Sequence, residues 1–340
     1  MKIVVMGTGP FAVPTAQRLL DDGHDIPLLV TRPLPEQKPK KHPPRPVYDW
    51  ARDRGLEIFE PASINDAEAI KTLSQHQADL FFVCDYGQIL SNDCLKAAKL
   101  GGINLHGSLL PRHRGAAPVQ WSLLQGDAEA GVTVIHMTPR LDAGPALKVI
   151  RTPIVPDETA AELEPRLAEL GVQATVDAVA MLNDWDGASE IGEIQDKTLV
   201  TRAPRFSKAD GALDFRLPAD YLARLVQACQ PWPGTFAELE WPDGKKKLRL
   251  IVRRARAVAG RTIQLEPGQA RQVTAEELGM AVDGSWKETI AVGTSEGIFL
   301  IGRVQPAGKR EMDTKEFLRG HPIIGGCQFV PPEPPREALC

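Results

Sequence analysis

The sequence predicts an α/β chain, a doubly wound parallel (Rossmann-like) sheet followed by a second, smaller C-terminal β-barrel. Three observations carry that prediction. The first half alternates short apolar runs with helix-length amphipathic segments, the rhythm of βαβ units. The second half breaks into short apolar runs divided by Gly and Pro turns, the rhythm of a small barrel. Between them lies a polar stretch without periodicity, and 340 residues are enough for two cores. The expected division is residues 1–184, a linker at 185–208, a barrel at 209–328 and a tail at 329–340. That tail ends VPPEPPREALC and reads as disordered.

The elements follow in order. Residues 2–6 (KIVVM) are apolar and β-branched, hence a strand, and residues 11–21 repeat apolar side chains at helical spacing. A strand at 26–31 precedes a Pro/Lys-rich loop. A helix at 47–54, a strand at 56–59, a helix at 67–76, a strand at 80–84, a helix at 93–98 and a short strand ending at His106 continue the alternation. Residues 132–137 form a further apolar strand. Thr159 and Glu162 stand at capping-box spacing before a long helical pattern. Pro165 predicts that this helix starts there or is kinked. After the linker come a helix at 218–228 and strands at 235–239, 248–256, 262–265, 288–292 and 297–304.

Composition narrows the class. The chain is 43% hydrophobic and 25% charged, ordinary for a soluble protein. No apolar run approaches the ~20 residues of a membrane helix. MKIVVMG enters a strand at once without a cleavable signal pattern. The five cysteines form no CxxC pair, so reduced thiols, a cytoplasmic location and no metal are expected. From residue 201 onward 21 Lys+Arg face 17 Asp+Glu, net +4, against 19 and 27 before it, net −8. A polyanion contact on the C-terminal side is compatible with that asymmetry.

The chemistry concentrates in INLHGSLLPRHRG at 103–115. In an extended strand Asn104 and His106 project from one face and Leu105 from the other. Asp142 stands in a second loop, RLDAG, after the strand at 132–137. Amide, imidazole and carboxylate suit acyl transfer to an amine. Asn104 is the oxyanion donor and His106 the proton donor to the departing nitrogen. Asp142 pairs with His106 and relays the amine's proton through water. His113 reads as a surface side chain and His136 as a packed or hydrogen-bonded one.

These residues, with the Ser108-Leu109-Leu110-Pro111 turn, resemble the active-site signature of the folate-dependent formyltransferases. GTGPFAVP (7–14), DYGQIL (85–90), RGAAPVQW (114–121), PWPG (231–234) and FLRGH (317–321) are similar, in this order, to the methionyl-tRNA branch of that family. The resemblance covers nearly the whole chain. It implies catalysis by Asn104, His106 and Asp142, with 10-formyltetrahydrofolate as formyl donor. It implies a folate cleft formed by Ser108, Leu109, Leu110 and Pro111 with Tyr86, Gly87, Gln88, Ile89 and Leu90. It further implies initiator methionyl-tRNA as acceptor, an OB-like tRNA-binding barrel, no membrane and a monomer. Its tRNA contacts fall on Thr8, Pro10, Phe11, Lys40, Lys41 and Arg45, and on Lys245, Lys246, Lys247 and Arg249.

The sequence departs from the family pattern in three places. The loop after the second strand reads RPLPEQKPKKHPPRP rather than a form like RPAGRGKK, so no residue inherits the family's arginine there. RLDAGP replaces GLDTGD. Asp85 stands where a small residue is usual. These departures sustain two other readings. One is a formyltransferase acting on an amino sugar nucleotide or another small amine. The other is an NADP-dependent oxidoreductase, since Gly7, Gly9 and Ala12 match GxGxxA after a strand and Arg32 ends the second strand. Pro10, however, lacks the N–H that a pyrophosphate would use.

Overall fold

The computed structural model describes residues 1–34, 44–244, 247–259, 263–278, 286 and 288–330. The chain divides into two compact units, one of Met1–Ser122, Ala128–Ile154 and Glu162–Arg205, the other of Leu123–Asp127, Val155–Ala161 and Phe206–Cys340. Among the described residues no helix is long and apolar enough to cross a membrane.

In the first unit the strands are β1 (Ile3–Gly7), β2 (Leu28–Val30), β3 (Glu57–Phe59), β4 (Leu80–Cys84), β5 (Gly102–His106), β6 (Arg114–Gly115), β7 (Glu129–His136), β8 (Ala146–Pro153) and β9 (Arg202–Ala203). The helices are α1 (Val13–Asp21), α2 (Pro46–Arg52), α3 (Ala67–Gln75), α4 (Asn92–Leu95), α5 (Pro118–Leu124) and α6 (Ala160–Asn183). Seven strands make one sheet in the order β3-β2-β1-β4-β5-β7-β8. The first five run parallel. IVVMG of β1 and LFFVC of β4 are buried along their whole length, as strands covered on both faces must be. The short pair β6–β9 is parallel and separate.

The last two strands give this parallel-dominated sheet an antiparallel edge. β7 runs antiparallel to β5, and β8 antiparallel to β7. β8 was not legible because ALKVIRTP has one neighbour and buries only Leu147 fully. An edge strand of this kind carries no continuous apolar run. Pro165 neither starts nor ends α6, which begins five residues before it. The carbonyl that proline cannot pair, that of Ala161, belongs to an exposed residue, where solvent can reach it.

The strand order reverses between β1 and β4, and this is the crevice where open α/β sheets bind ligands at the carboxyl ends of their strands. β4 and β5 pair in register, Phe82 with Ile103 and Val83 with Asn104. α6 packs on β5 through Gly171, where a Cβ would come within 2.7 Å of Leu105 Cδ2. Leu105 itself is 2% exposed, so helix and strand approach closely only because position 171 has no side chain.

The second unit holds α7 (Ala219–Ala228) and α8 (Thr314–Gly320) with strands β10 (Thr235–Glu240), β11 (Lys247–Val258), β12 (Ala270–Thr274), β13 (Glu288–Gly293), β14 (Ile298–Pro306), β15 (Met312–Asp313) and β16 (Gln328–Val330). The sheet is antiparallel in the order β12-β13-β14-β11-β10-β16, with β15 on β14. Its two edges meet. Ala270 N–H donates to Cys327 O at 3.0 Å and Phe329 N–H to Gly268 O at 2.7 Å, so the sheet curls into the expected barrel. Trp286, Val273, Ala291, Ile298 and Leu300 fill part of the interior. α7 buries Leu222, Leu225 and Val226, the i, i+3, i+4 stripe its sequence shows.

Two strand expectations shift here. Ile263, Gln264 and Leu265 are not in a strand, and Thr262 lies outside the described residues. β12, ARQVT, went unrecognised because Arg271 and Gln272 dilute its apolar pattern. β16 includes Phe329 and Val330, the first two residues of the segment read as a tail; residues 331–340 lie outside the described residues.

Gly171→Ala tests the helix–strand approach. Alanine favours the helix by about 1 kcal/mol, whereas overpacking a buried leucine costs about 1–3 kcal/mol. A net loss of about 1 kcal/mol in chemical denaturation is expected, recovered by adding Leu105→Val. A stabilised single variant would show that Leu105 has room to move.

Candidate active site

β5 delivers Asn104 and His106 to the carboxyl edge of the sheet on one face. Asn104 is half-buried and His106 is 6% exposed. Asp142 arrives from the loop after β7, in a left-handed backbone with φ +48°. Its Oδ1 accepts from Asn104 Nδ2 at 3.4 Å and lies 3.9 Å from His106 Nδ1. The second distance is too long for a hydrogen bond and is an electrostatic contact. Its Oδ2 accepts the Gly115 N–H at 2.9 Å. Two of the three predicted residues, Asn104 and His106, therefore meet at a carboxylate oxygen of the third, Asp142.

The surroundings explain the arrangement. His106 Nε2 lies 2.9 Å from His113 O. A carbonyl only accepts, so Nε2 carries a proton and Nδ1 is the ring atom left facing Asp142. His113 corrects the surface reading: it is 2% exposed. Its φ of +59° forms part of the turn from which its carbonyl meets His106, and its N–H donates to Thr201 Oγ1 at 2.8 Å. His136 is hydrogen-bonded, its Nε2 lying 2.9 Å from Leu100 O.

Sequence reasoning missed Gln195. Its amide donates to Asp142 O at 2.9 Å and Gly144 O at 2.7 Å, while Arg114 Nη2 holds its Oε1 at 2.6 Å. Both Gln195 and Thr201 come from the stretch read as a linker, where a lone glutamine or threonine in polar sequence gives no signal. Gly144 is required in the same loop, since a Cβ there would overlap His136 O.

Asp85, at the carboxyl end of β4, has φ +51°. Extending the β4–β5 register by two residues sets it beside His106. The protein crowding its carboxyl pushes its pKa up, against an opposite pull from His106; the residue remains open to solvent on its outer side. Glu164 of α6 is raised too, first by burial and then by the Asp85 charge. Burial holds the Cys84 thiol well above its ordinary value, and the same two carboxyls add to the effect.

The expected folate residues divide. Ser108 is buried, its hydroxyl donating to Arg112 O at 2.8 Å, and its carbonyl accepts from Thr133 Oγ1 at 2.7 Å. Leu109, Leu110 and Pro111 are half-buried and Ile89 is 55% exposed. These leave apolar edges beside β5 for a flat heterocycle. Tyr86 and Leu90, expected in the folate cleft, are each 1% exposed and their side chains pack in the sheet core instead. Gln88 spends its amide on Ile64 N–H at 2.8 Å and Ala62 O at 3.3 Å. Gly87 is exposed.

The expected tRNA residues also divide. Thr8 is half-buried and Pro10 exposed, while Phe11 is 4% exposed. Arg45 is engaged within the fold: it pairs with Glu60, donates to Arg32 O at 3.1 Å and lies 3.8 Å over the Tyr48 ring. Lys247 is exposed and pairs with Glu240, and exposed Arg249 stacks 3.8 Å over Phe236. Lys40, Lys41, Lys245 and Lys246 lie outside the described residues. Among the described residues no group of three His, Cys, Asp or Glu side chains is arranged to hold a metal.

The family model for formyl transferase matches residues 1–179, and the model for the formyl transferase C-terminal domain matches 205–322. The chain belongs to the formyl transferase family. It is 44% identical over 340 residues to methionyl-tRNA formyltransferase of Rhodopirellula baltica, covering 98% of this chain and 97% of that one. Among solved structures it is similar in fold to the sugar 3N-formyl transferase WlaRD, at TM-score 0.61 and 14% identity, over 91% of this chain and 99% of that one. It is also similar to HypX from Aquifex aeolicus, solved with tetrahydrofolic acid, at TM-score 0.54 and 14% identity. That match covers 94% of this chain but 47% of HypX, so the chain spans about half of HypX's length.

The raised carboxyls make a pH prediction. Asp85 and Glu164 hold their protons more tightly in the folded chain than at the ordinary value near ~4. The stability this contributes is full below that value and is lost as pH rises through the raised folded values. The melting midpoint of Glu164→Gln, taken relative to wild type, is therefore expected to increase from about pH 4.5 to about pH 7. A constant difference would show that folding does not raise the Glu164 carboxyl.

Proposed function

We propose that this family member transfers the formyl group of 10-formyltetrahydrofolate to the α-amino group of initiator methionyl-tRNA, as a cytoplasmic monomer. In this reading residues 1–184 carry the catalysis and residues 209–328 the tRNA contact, joined by 185–208. The observation that carries the chemistry is the meeting of the Asn104 amide and the His106 ring at Asp142 Oδ1. The acceptor rests on the 44% identity to a methionyl-tRNA formyltransferase over nearly the whole chain.

The folate supplies the formyl carbon. Asn104 has a second amide hydrogen beyond the one given to Asp142 and offers it to the oxygen that becomes negative as the amine adds. His106, proton-bearing and anchored through Nε2, presents Nδ1 to the departing nitrogen as proton donor when the carbonyl re-forms and the old carbon–nitrogen bond breaks. Asp142 orients both groups and returns the amine's surplus proton to the histidine through water. Ile89, Leu109, Leu110 and Pro111 give the heterocycle its apolar contacts, with the Gly87 backbone beside them.

His106→Ala is expected to lower kcat by about 10²–10⁴-fold, and Asn104→Ala by about 10²–10³-fold, both with wild-type melting midpoints. The assay supplies 10-formyltetrahydrofolate and methionyl-tRNA, scores formylmethionine, and adds amino sugar nucleotides as competitors. Formylation of the sugar nucleotide with none of the tRNA would replace the acceptor. Normal turnover by His106→Ala would remove the mechanism.

Lys247 and Arg249 lie on the outward face of β11, the strand that carries most of the second unit's basic run. Reversing both charges is expected to weaken tRNA binding and to lower the slope of log affinity against log salt by about 1 for each phosphate left unneutralised. An unchanged slope would remove this strand from the interface.

A further inference from the structure

The Asp85 carboxylate is the unused group at the reaction centre. It stands at the end of β4, on the side of the crevice where the strand order reverses. On one flank its Oδ2 lies 3.1 Å from the position a Cβ would take at Gly9, in the turn after β1. That turn is tied to it by a bond from Thr8 Oγ1 to Asp85 O. On the other flank it sits beside His106 in the extended register of β4 and β5. Glycine at position 9 is what leaves room for the carboxylate against the backbone.

Among the described residues nothing donates a hydrogen bond to this carboxylate, and no Lys or Arg pairs with it. The titratable groups around it are His106 from β5, Glu164 from α6 and Cys84 on its own strand; the turn after β1 adds only the uncharged Thr8 and Gly9. A carboxylate open to solvent in the crevice, with no donor among the described residues, can take a charge-assisted bond from an incoming cation. Asp142 is kept for the second proton, the one the adduct sheds after the amine has added, and its oxygens are already held by Asn104 and by Gly115 N–H.

Resting on the reading of the preceding subsection, we propose that Asp85 receives the α-ammonium of the acceptor and removes its proton. The step balances. One N–H bond of the ammonium breaks and one O–H bond forms on Asp85, leaving a neutral amine whose lone pair attacks the formyl carbon and a neutral carboxylic acid. The need is chemical, because an α-amino group with pKa near ~8 is mostly protonated, and not nucleophilic, at neutral pH.

Asp85→Asn is the informative variant, since asparagine tolerates the left-handed backbone that Asp85 adopts. Wild type is expected to bind methionyl-tRNA roughly tenfold more tightly than N-acetylmethionyl-tRNA near about pH 6.5, the worth of one charge-assisted bond. Asp85→Asn is expected to abolish that preference. Its kcat/KM is expected to fall at least tenfold near that pH and to recover above about pH 8, where the amine is neutral unaided. If wild type forms formylmethionine while Asp85→Asn keeps both the preference and the profile, this inference falls alone. If wild type forms none, the functional reading falls and takes the inference with it.

Discussion

The Asp142 carboxylate reaches the end of β5 because its own backbone turns left-handed and its loop is clamped from behind. The clamp is Gln195, bonded to the carbonyls of Asp142 and Gly144 and held in turn by Arg114. The candidate site is organised around that carboxylate. It takes Asn104 and His106 on one oxygen and the Gly115 amide on the other, so the strand, the loop after β7 and the turn before α5 are registered to each other at a single group. RLDAGP is consistent with this. Asp142 and Gly144 are the two positions the geometry needs, and Gly144 is needed because its Cα packs against the carbonyl of His136.

The same economy governs the histidine. Anchoring Nε2 on a main-chain carbonyl fixes the tautomer and leaves one nitrogen for chemistry. The anchor is built from His113, whose left-handed backbone and buried ring depend on Thr201. A polar segment without periodicity thus supports both ends of the site. Such segments have little apolar area to contribute, and their hydrogen bonds to buried main-chain groups become necessary because an unpaired buried carbonyl is costly.

The barrel shows how a basic strand is made compatible with a folded surface. On β11 the inward positions Leu250 and Val252 are fully buried, while the cations alternate outward until a bulge after Val252. Beyond it Arg256 pairs with Asp157 and lies 4.7 Å from the Trp286 ring centroid. The cations toward the start of the strand are exposed, and those toward its end are engaged within the unit. Net charge could not have separated these two groups.

Period and motif in the sequence determined the α/β order of the first half, the face shared by Asn104 and His106, the apolar strands β1 and β4 and the helix α7, because local periodicity follows directly from backbone geometry. The family was legible from strings of residues kept in order. The antiparallel β7–β8 edge, the polar strand β12 and the closing contact of the barrel depended on neighbours distant in sequence, and edge or half-exposed strands carry little pattern of their own. Only the tertiary structure decided that Tyr86, Leu90 and Phe11 are core, that Arg45 is already paired, that Gln195 and Thr201 belong to the site, and that Asp85 stands beside His106 with no hydrogen-bond donor among the described residues. Each of these turns on which distant groups meet in space, and the spacing of residues along one chain does not encode that.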